Sequence, residues 1–449
     1  MGKVGAWIFA IVLVMGALPC VQAGPALLID HVTLIDGTGR SAVPDTSVLI
    51  VNGRIERIER GTIDTPGGTH RIRGAGRYLV PGLFDVHIHL QGGFERTPDG
   101  KQRAIVDREA GLRALHGYLY SGVTSVFDAG NNPDHIYSLR KAERAGEIVA
   151  PRIYAAGGVV TYPGSHDSSE VATLVDDWPE AIPLLEAHIA YGPDMVKLTY
   201  EERGWGARPM IPILPPELMQ RIIEWYNDRG VRSTAHTAGE LRAREAIFAG
   251  VDTLAHPVIT GPISEGFARL MAAKQIPMAT TLTIGDNYSR LVEHPEYLDQ
   301  PLYRAALPPE EIERLRTEVR AEWKDRQVTA WMRVMIPIAQ ENLRQIHVAG
   351  GVLALGSDQS IGPAVHREME LLVAAGIAPL DVIRIATLNS AMFLGNAHDY
   401  GSIEEGKVAD LVLLEADPSE DIDNAKRITE VIKGGVIVDR ESLAIPVVR

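Results

Sequence analysis

The amino-acid sequence predicts an α/β fold: a closed (β/α)8 barrel with a small sheet domain assembled from both termini. Three observations carry that expectation. Across residues 81–399, short apolar runs alternate with helical patterns, the mark of βα units on a parallel sheet. Eight such runs are present, the number that closes a barrel. The two ends of the chain share a different, β-rich texture broken by turn residues.

In chain order, the first element is a leader. Met1-Gly2-Lys3, an apolar stretch over 4–18 and Val21-Gln22-Ala23 have the charged start, apolar middle and small-residue end of a secretory signal over residues 1–23. The stretch is shorter than the roughly 20 residues a spanning helix needs, so cleavage is expected rather than a retained anchor. The mature protein is then periplasmic or secreted, with no membrane span. Cys20, the only cysteine, lies in this leader behind Pro19, a poor residue before a lipid-modified cysteine. Mature chain therefore has neither a disulfide nor thiolate chemistry.

The sheet domain is expected over 24–80 and 400–449. Runs at 26–30, 31–35, 47–51 and 54–58 lead it, the last two joined by the hairpin signal Asn52-Gly53. Runs at 409–414, 428–433 and 436–438, with Gly434-Gly435 between the last two, close it. The barrel over 81–399 has candidate strands at 83–86, 124–127, 152–155, 195–198, 231–235, 251–254, 277–282 and 352–355. Apolar helix faces precede strand five (Leu218, Ile222, Trp225, Tyr226) and strand six (Leu241, Ala246, Ile247, Phe248), and Gly230 and Gly250 mark the helix stops. Residues 285–335 form a long polar and aromatic insertion, read either as a lid over the barrel mouth or as a solvated surface helix.

Composition narrows the function. With 44 Lys plus Arg against 58 Asp plus Glu, the net charge of −14 and the lack of a basic stripe argue against nucleic acid or an anionic membrane as partner. A small-molecule substrate is expected, and a homo-oligomer is left open.

Barrel enzymes place their reactive groups at the C-terminal ends of the strands. The first strand ends in His87-Ile88-His89, and a period of two lets both imidazoles reach one ion. Strand four carries Lys197, strands five and six end at His236 and His256, and strand eight ends at Asp358. Singly, each has a packing explanation: a hydrogen-bonded core histidine, a snorkelling lysine, a turn-capping aspartate. Together they point to a metal site. Imidazole and carboxylate without thiolate suit zinc, and also manganese, iron or cobalt.

Pro81-Gly82-Leu83-Phe84-Asp85-Val86-His87-Ile88-His89, then Lys197, His236, His256 and Asp358 in that order, resemble the amidohydrolase superfamily of metallohydrolases. Thr387-Leu388-Asn389-Ser390-Ala391 and the close over 401–414 extend the resemblance over nearly the whole mature chain. Residues 122–126 and 366–371 look most like its imidazolonepropionase-like and prolidase-type (Xaa-Pro dipeptidase-like) branch. The resemblance implies a distorted (β/α)8 TIM-like barrel with a β-sandwich domain. It implies two divalent metal ions, zinc first: a buried one on His87, His89 and Asp358, and a more exposed one on His236 and His256. Lys197, carboxylated by CO2, would bridge them. Burial beside cations lowers a lysine pKa and frees the amine for that reaction.

On this resemblance the enzyme cleaves an amide C–N bond of a dipeptide or N-acyl amino acid by metal-bridged hydroxide, with Asp358 as acid/base. A deaminase or cyclic-amide or lactone hydrolase is the alternative, and a non-catalytic metal-binding protein comes third. His166, in Gly164-Ser165-His166-Asp167, is either an oxyanion stabiliser or an exposed loop residue. Tyr200 and Arg203 either meet a substrate carboxylate or are surface residues. The neighbours of His236 (residues 234–240) and of His256 (Ala255 and Pro257) depart from the family's commoner forms, which bears on substrate preference.

Overall fold

The computed structural model describes residues 26–90, 93–96, 102–202 and 210–445; the expected leader 1–23 with Cys20, and Arg203, lie outside the described residues. Eight parallel strands form the barrel: Leu83–Ile88, Val123–Asp128, Arg152–Ala155, Met195–Thr199, Arg232–His236, Thr253–Leu254, Met278–Ala279 and Leu353–Ala354. Two seams close it. The first strand meets the eighth through Val86 N to Leu355 O (2.9 Å) and Asp358 N to His87 O (2.8 Å), and the third reaches the fourth through Asp194 N to Ala155 O (3.0 Å).

The later strands are shorter than the sequence pattern suggests. Strand six is Thr253–Leu254 rather than 251–254, and strand seven is Met278–Ala279 rather than 277–282. Leu282 instead opens the helix Leu282–Glu293, because the buried Glu368 carboxylate takes the backbone N–H groups of Leu282 and Thr283 at 2.9 and 2.7 Å. A short apolar run does not distinguish a strand from the start of a buried helix.

The helix Pro216–Asn227 buries Leu218, Ile222, Trp225 and Tyr226, as its spacing predicts. Glu240–Phe248 corrects the second helix face: Ala243, Ala246 and Ile247 are buried, whereas Leu241 and Phe248 are 61% and 68% exposed. The buried trio follows i, i+3, i+4, and small side chains let that stripe approach the barrel; Leu241 and Phe248, seven apart, share a stripe turned outward. Gly230 and Gly250 end these helices at φ +74° and +93°, where a Cβ would be strained.

Strands from both termini form one mixed eight-stranded sheet around a core that includes Leu27, Ile29, Val48, Ile50, Leu79, Leu411 and Ile432. The runs 26–30 and 31–35 are a single strand, Ala26–Leu34, bulged between Ile29 and Val32 where His31 takes φ +56°. Leu411–Leu414 pairs antiparallel with Tyr78–Pro81, which runs through Gly82 directly into the barrel strand bearing His87. The small domain thus fixes the entry to the site.

The insertion is not a lone solvated helix. It builds its own apolar cluster of Leu291, Tyr297, Leu298, Tyr303, Leu307 and Val319, with Ile361 packed against it. Asn287 Nδ2 donates to Gln359 Oε1 (2.7 Å), tying the insertion to the loop that follows Asp358, while its helix Pro309–Arg314 buries no residue.

Candidate metal centre

At the C-terminal end of the barrel, side chains from five strands converge. His87 Nε2 lies 3.4 Å from Lys197 Nζ and 3.7 Å from Asp358 Oδ1, and His89 Nε2 is 3.4 Å from that same oxygen. Ring centroids run from His87 to His256 (4.5 Å), from His256 to His236 (4.4 Å) and on to His166 (4.6 Å), a row of imidazoles across the mouth. His87, Lys197, His236 and His256 are buried, and His89 is half-buried.

The rings are oriented from behind. His87 Nδ1 donates to Ala255 O (2.9 Å) and His89 Nδ1 to Gly130 O (2.8 Å); His256 Nδ1 bonds Thr281 Oγ1 (2.9 Å). A carbonyl only accepts, so His87 and His89 carry a proton on Nδ1 and turn Nε2 toward the cluster; His87, held neutral, presents it bare, and at His89 a cation would displace the proton shared with Asp358. Bare nitrogens and a carboxylate facing one buried space, with no thiolate, fit a divalent cation of the zinc class.

The electrostatics agree. Burial, and then the Lys197 charge, hold the His87 imidazole well below its ordinary pKa; burial and neighbouring histidines do the same for His236 and His256. Burial lowers the Lys197 ammonium to about 8, against the pull of Asp167, Asp358 and Asp128. Burial would raise the Asp358 carboxyl, but His87, His89 and Lys197 outweigh it and hold it well below the usual range. For His89, burial is outweighed by the hydrogen bond and charge of Asp358, with Asp128 adding, and its pKa rises to about 9. A positive charge belongs beside Asp358.

A second tier holds these groups. Asp85, buried, accepts from the Ser357 hydroxyl and from Ser357 N (2.9 Å), clamping strand one to the turn before Asp358; burial pushes its carboxyl up to about 8. Asp128 takes Leu90 N (2.8 Å), Gly130 N (3.2 Å) and Asn131 Nδ2 (2.8 Å), fixing the loops on either side of His89. Asp358 itself sits at φ +53° and Thr281 at φ +29°, conformations that only a well-determined surrounding maintains.

Glu368 supplies that surrounding for Thr281. Fully buried, it accepts from Leu282 N, Thr283 N and Thr283 Oγ1 (2.6 Å), setting the turn whose Thr281 hydroxyl orients His256. Glu368→Gln turns an amide NH2 toward donors, leaving buried groups unsatisfied. A stability loss of roughly 1–3 kcal/mol is expected in chemical denaturation of the metal-free protein. Metal affinity should fall roughly 10- to 100-fold in chelator competition through the loosened His256. An unchanged affinity would leave Glu368 with a structural role alone.

The other expected site residues divide. His166 joins the cluster, partly buried beside His236. Tyr200 does not: an alternating strand turns it away from Lys197, and it is fully buried among the helices with its hydroxyl donating to Glu245 Oε2 (2.8 Å). The reading of Tyr200 as a substrate contact is therefore corrected. Asp85, Asp128, Asp167, Thr281 and Glu368 were not singled out from sequence. Asp85 precedes His87 by the strand period and Asp128 ends the second barrel strand, so both carry a signal; Glu368 lies within the resembling stretch 366–371 without a role of its own, and Thr281 carries none.

Comparisons with known proteins follow the same line. A sequence profile described as Amidohydrolase family matches residues 78–438. Ochratoxinase of Aspergillus niger is 25% identical over 406 residues, spanning 82% of this chain and 76% of that protein. A 5-methylthioadenosine/S-adenosylhomocysteine deaminase of Symbiobacterium thermophilum is 24% identical over 416 residues, 87% of this chain and 85% of its own. The crystal structure of a Xaa-Pro dipeptidase with bound methionine shares the fold, with a TM-score of 0.73 at 23% identity over 92% of this chain and 99% of that one.

Proposed function

The chain belongs to the amidohydrolase family and is a hydrolase acting on carbon–nitrogen bonds, and on that footing we propose an exported enzyme that cleaves the amide bond of a dipeptide or N-acyl amino acid with two divalent ions, zinc first. His87, His89 and Asp358 would hold the deeper ion, His236 and His256 the outer one, and Lys197, carboxylated by CO2, would span both. The observation that carries this reading is the convergence of six donor side chains from five strands, with Lys197 buried beside His87. An amine offers one lone pair, whereas a carbamate offers two anionic oxygens, one for each seat.

When bound, the ions supply an acidified water and Lewis-acid polarisation of the scissile carbonyl. The chain's own groups do the rest. Asp358, touching His87 and His89, takes the proton of the attacking water and hands it to the leaving nitrogen. His166 stands beside His236, where it can donate to the carbonyl oxygen as charge develops there. Small substrates suit the family, and among the described residues no helix is long and apolar enough to cross a membrane. Export rests on the leader pattern over 1–23.

The dipeptide assignment draws support from the Xaa-Pro dipeptidase fold and the ochratoxinase match. The deaminase match favours a second reading, hydrolytic deamination; a mononuclear deaminase has no use for a bridging lysine. Zinc-loaded protein assayed against dipeptides varied at the C-terminal residue, N-acyl amino acids, cyclic amides, lactones and adenine nucleosides separates the two. Amide cleavage, abolished by chelator and restored by zinc, is expected; ammonia release from nucleosides without amide cleavage would overturn the dipeptidase reading.

A further inference from the structure

We propose that Asp167, with His166 and His236, forms a ligand set for a divalent ion at the outer side of the site, so that this chain holds its exposed ion with a carboxylate of its own. The inference rests on the two-ion reading above, adds ligands to it, and moves His166 from the carbonyl oxygen to the outer ion.

The donor atoms of His166, Asp167 and His236 all lie within 4.8 Å of one another. His166 Nε2 is 3.4 Å from Asp167 Oδ1, and the His166 and His236 rings stand 4.6 Å apart at 33°. Consecutive side chains on an extended backbone diverge, so a His-Asp pair does not ordinarily meet at one point. Here Asp167 takes the left-handed conformation at φ +59°, and the backbone folds its carboxylate back beside the preceding imidazole.

The surrounding loop keeps that arrangement. Thr161 Oγ1 donates to His166 O (3.2 Å), Ser168 N to Ser165 O (3.2 Å), and Ser169 N to Asp167 O (2.7 Å). The other carboxylate oxygen faces inward, 3.4 Å from Thr199 Oγ1 on the strand of Lys197. The Asp167 side chain is 42% exposed, so the carboxylate beside His166 is open to solvent as well as to Thr199. Joined to His256 and a carbamate oxygen of Lys197, these donors would make a five-ligand set of imidazoles and carboxylates, which zinc, manganese, iron or cobalt accepts with one octahedral position left for water or substrate. An ion seated at this rim exchanges more readily than one held by buried His87.

Purified full-length protein loaded with zinc, and separately with cobalt, tests this by elemental analysis after dialysis and by chelator competition. Asp167→Asn and Asp167→Gly both accept a positive φ, so they remove the carboxylate without backbone strain; thermal melts of the metal-free proteins check the fold. His166→Asn tests the second new ligand. Asp167→Gly and His166→Asn should each weaken the less tightly held ion by roughly tenfold or more, leave the tighter ion unchanged, and alter the cobalt visible spectrum; Asp167→Asn, which keeps one side-chain oxygen, should shift the spectrum with a smaller loss of affinity. Two ions with unchanged affinities and spectra in all three variants would overturn the proposal while leaving the two-ion reading intact. One ion in the unmodified protein, indifferent to all three substitutions, would overturn both.

Discussion

Asp358→Asn is expected to keep its metal and lose turnover by roughly 10²–10⁴-fold, the range of a positioned acid/base group. Asparagine keeps one oxygen in the ligand position and is among the residues that tolerate the observed φ of +53°, so the bond from its backbone N–H to His87 O survives. It cannot take up the water proton and return it to the leaving nitrogen. The loss should fall on kcat more than on KM, because a group acting in the transition state contributes little to ground-state binding. Metal content measured on the same preparation separates this from a collapsed site. Full turnover with normal metal content would remove Asp358 from the acid/base role.

Lys197→Ala should lower activity more than roughly 100-fold, and short carboxylic acids should restore part of it. The side chain is 2% exposed, and burial brings its amine to about 8, so a substantial share is neutral in mildly alkaline solution and open to attack on CO2. Truncation to alanine opens a narrow space beside His87 in which formate, acetate or propionate can offer two oxygens to the two seats. Lys197→Arg, which stays charged and cannot be carboxylated, should show no such rescue. Activity against carboxylate concentration gives the answer: saturable recovery supports a bridging carboxylate, and undiminished activity without additive would refute it.

Much of this architecture was readable in the residues. Eight apolar runs gave the barrel because βα alternation leaves a strong imprint, and all six proposed ligands lie where strand ends meet the mouth. The short strands six and seven were overdrawn, since apolar character continues into turns that Glu368 and Thr281 bend toward His256. Glu368 is 112 positions from His256, and nothing local announces that they act together. Leu241 and Phe248 misled because two adjacent helical stripes were apolar and only packing decides which one faces in. Tyr200 fits neither alternative, substrate contact or surface residue, because the alternation of the strand turns it away from Lys197 and into the helices, where Glu245 accepts from its hydroxyl. Asp167 escaped notice because convergence with His166 depends on a left-handed φ that an aspartate permits but does not announce.

The most direct test is a crystal structure of zinc-loaded protein grown with bicarbonate, with anomalous data collected at the zinc edge. Two peaks are expected, one among His87, His89 and Asp358 and one against His236 and His256, with carbamate density on Lys197 between them. A single peak, or a bare Lys197 amine turned away from the ions, would contradict the two-ion hydrolase.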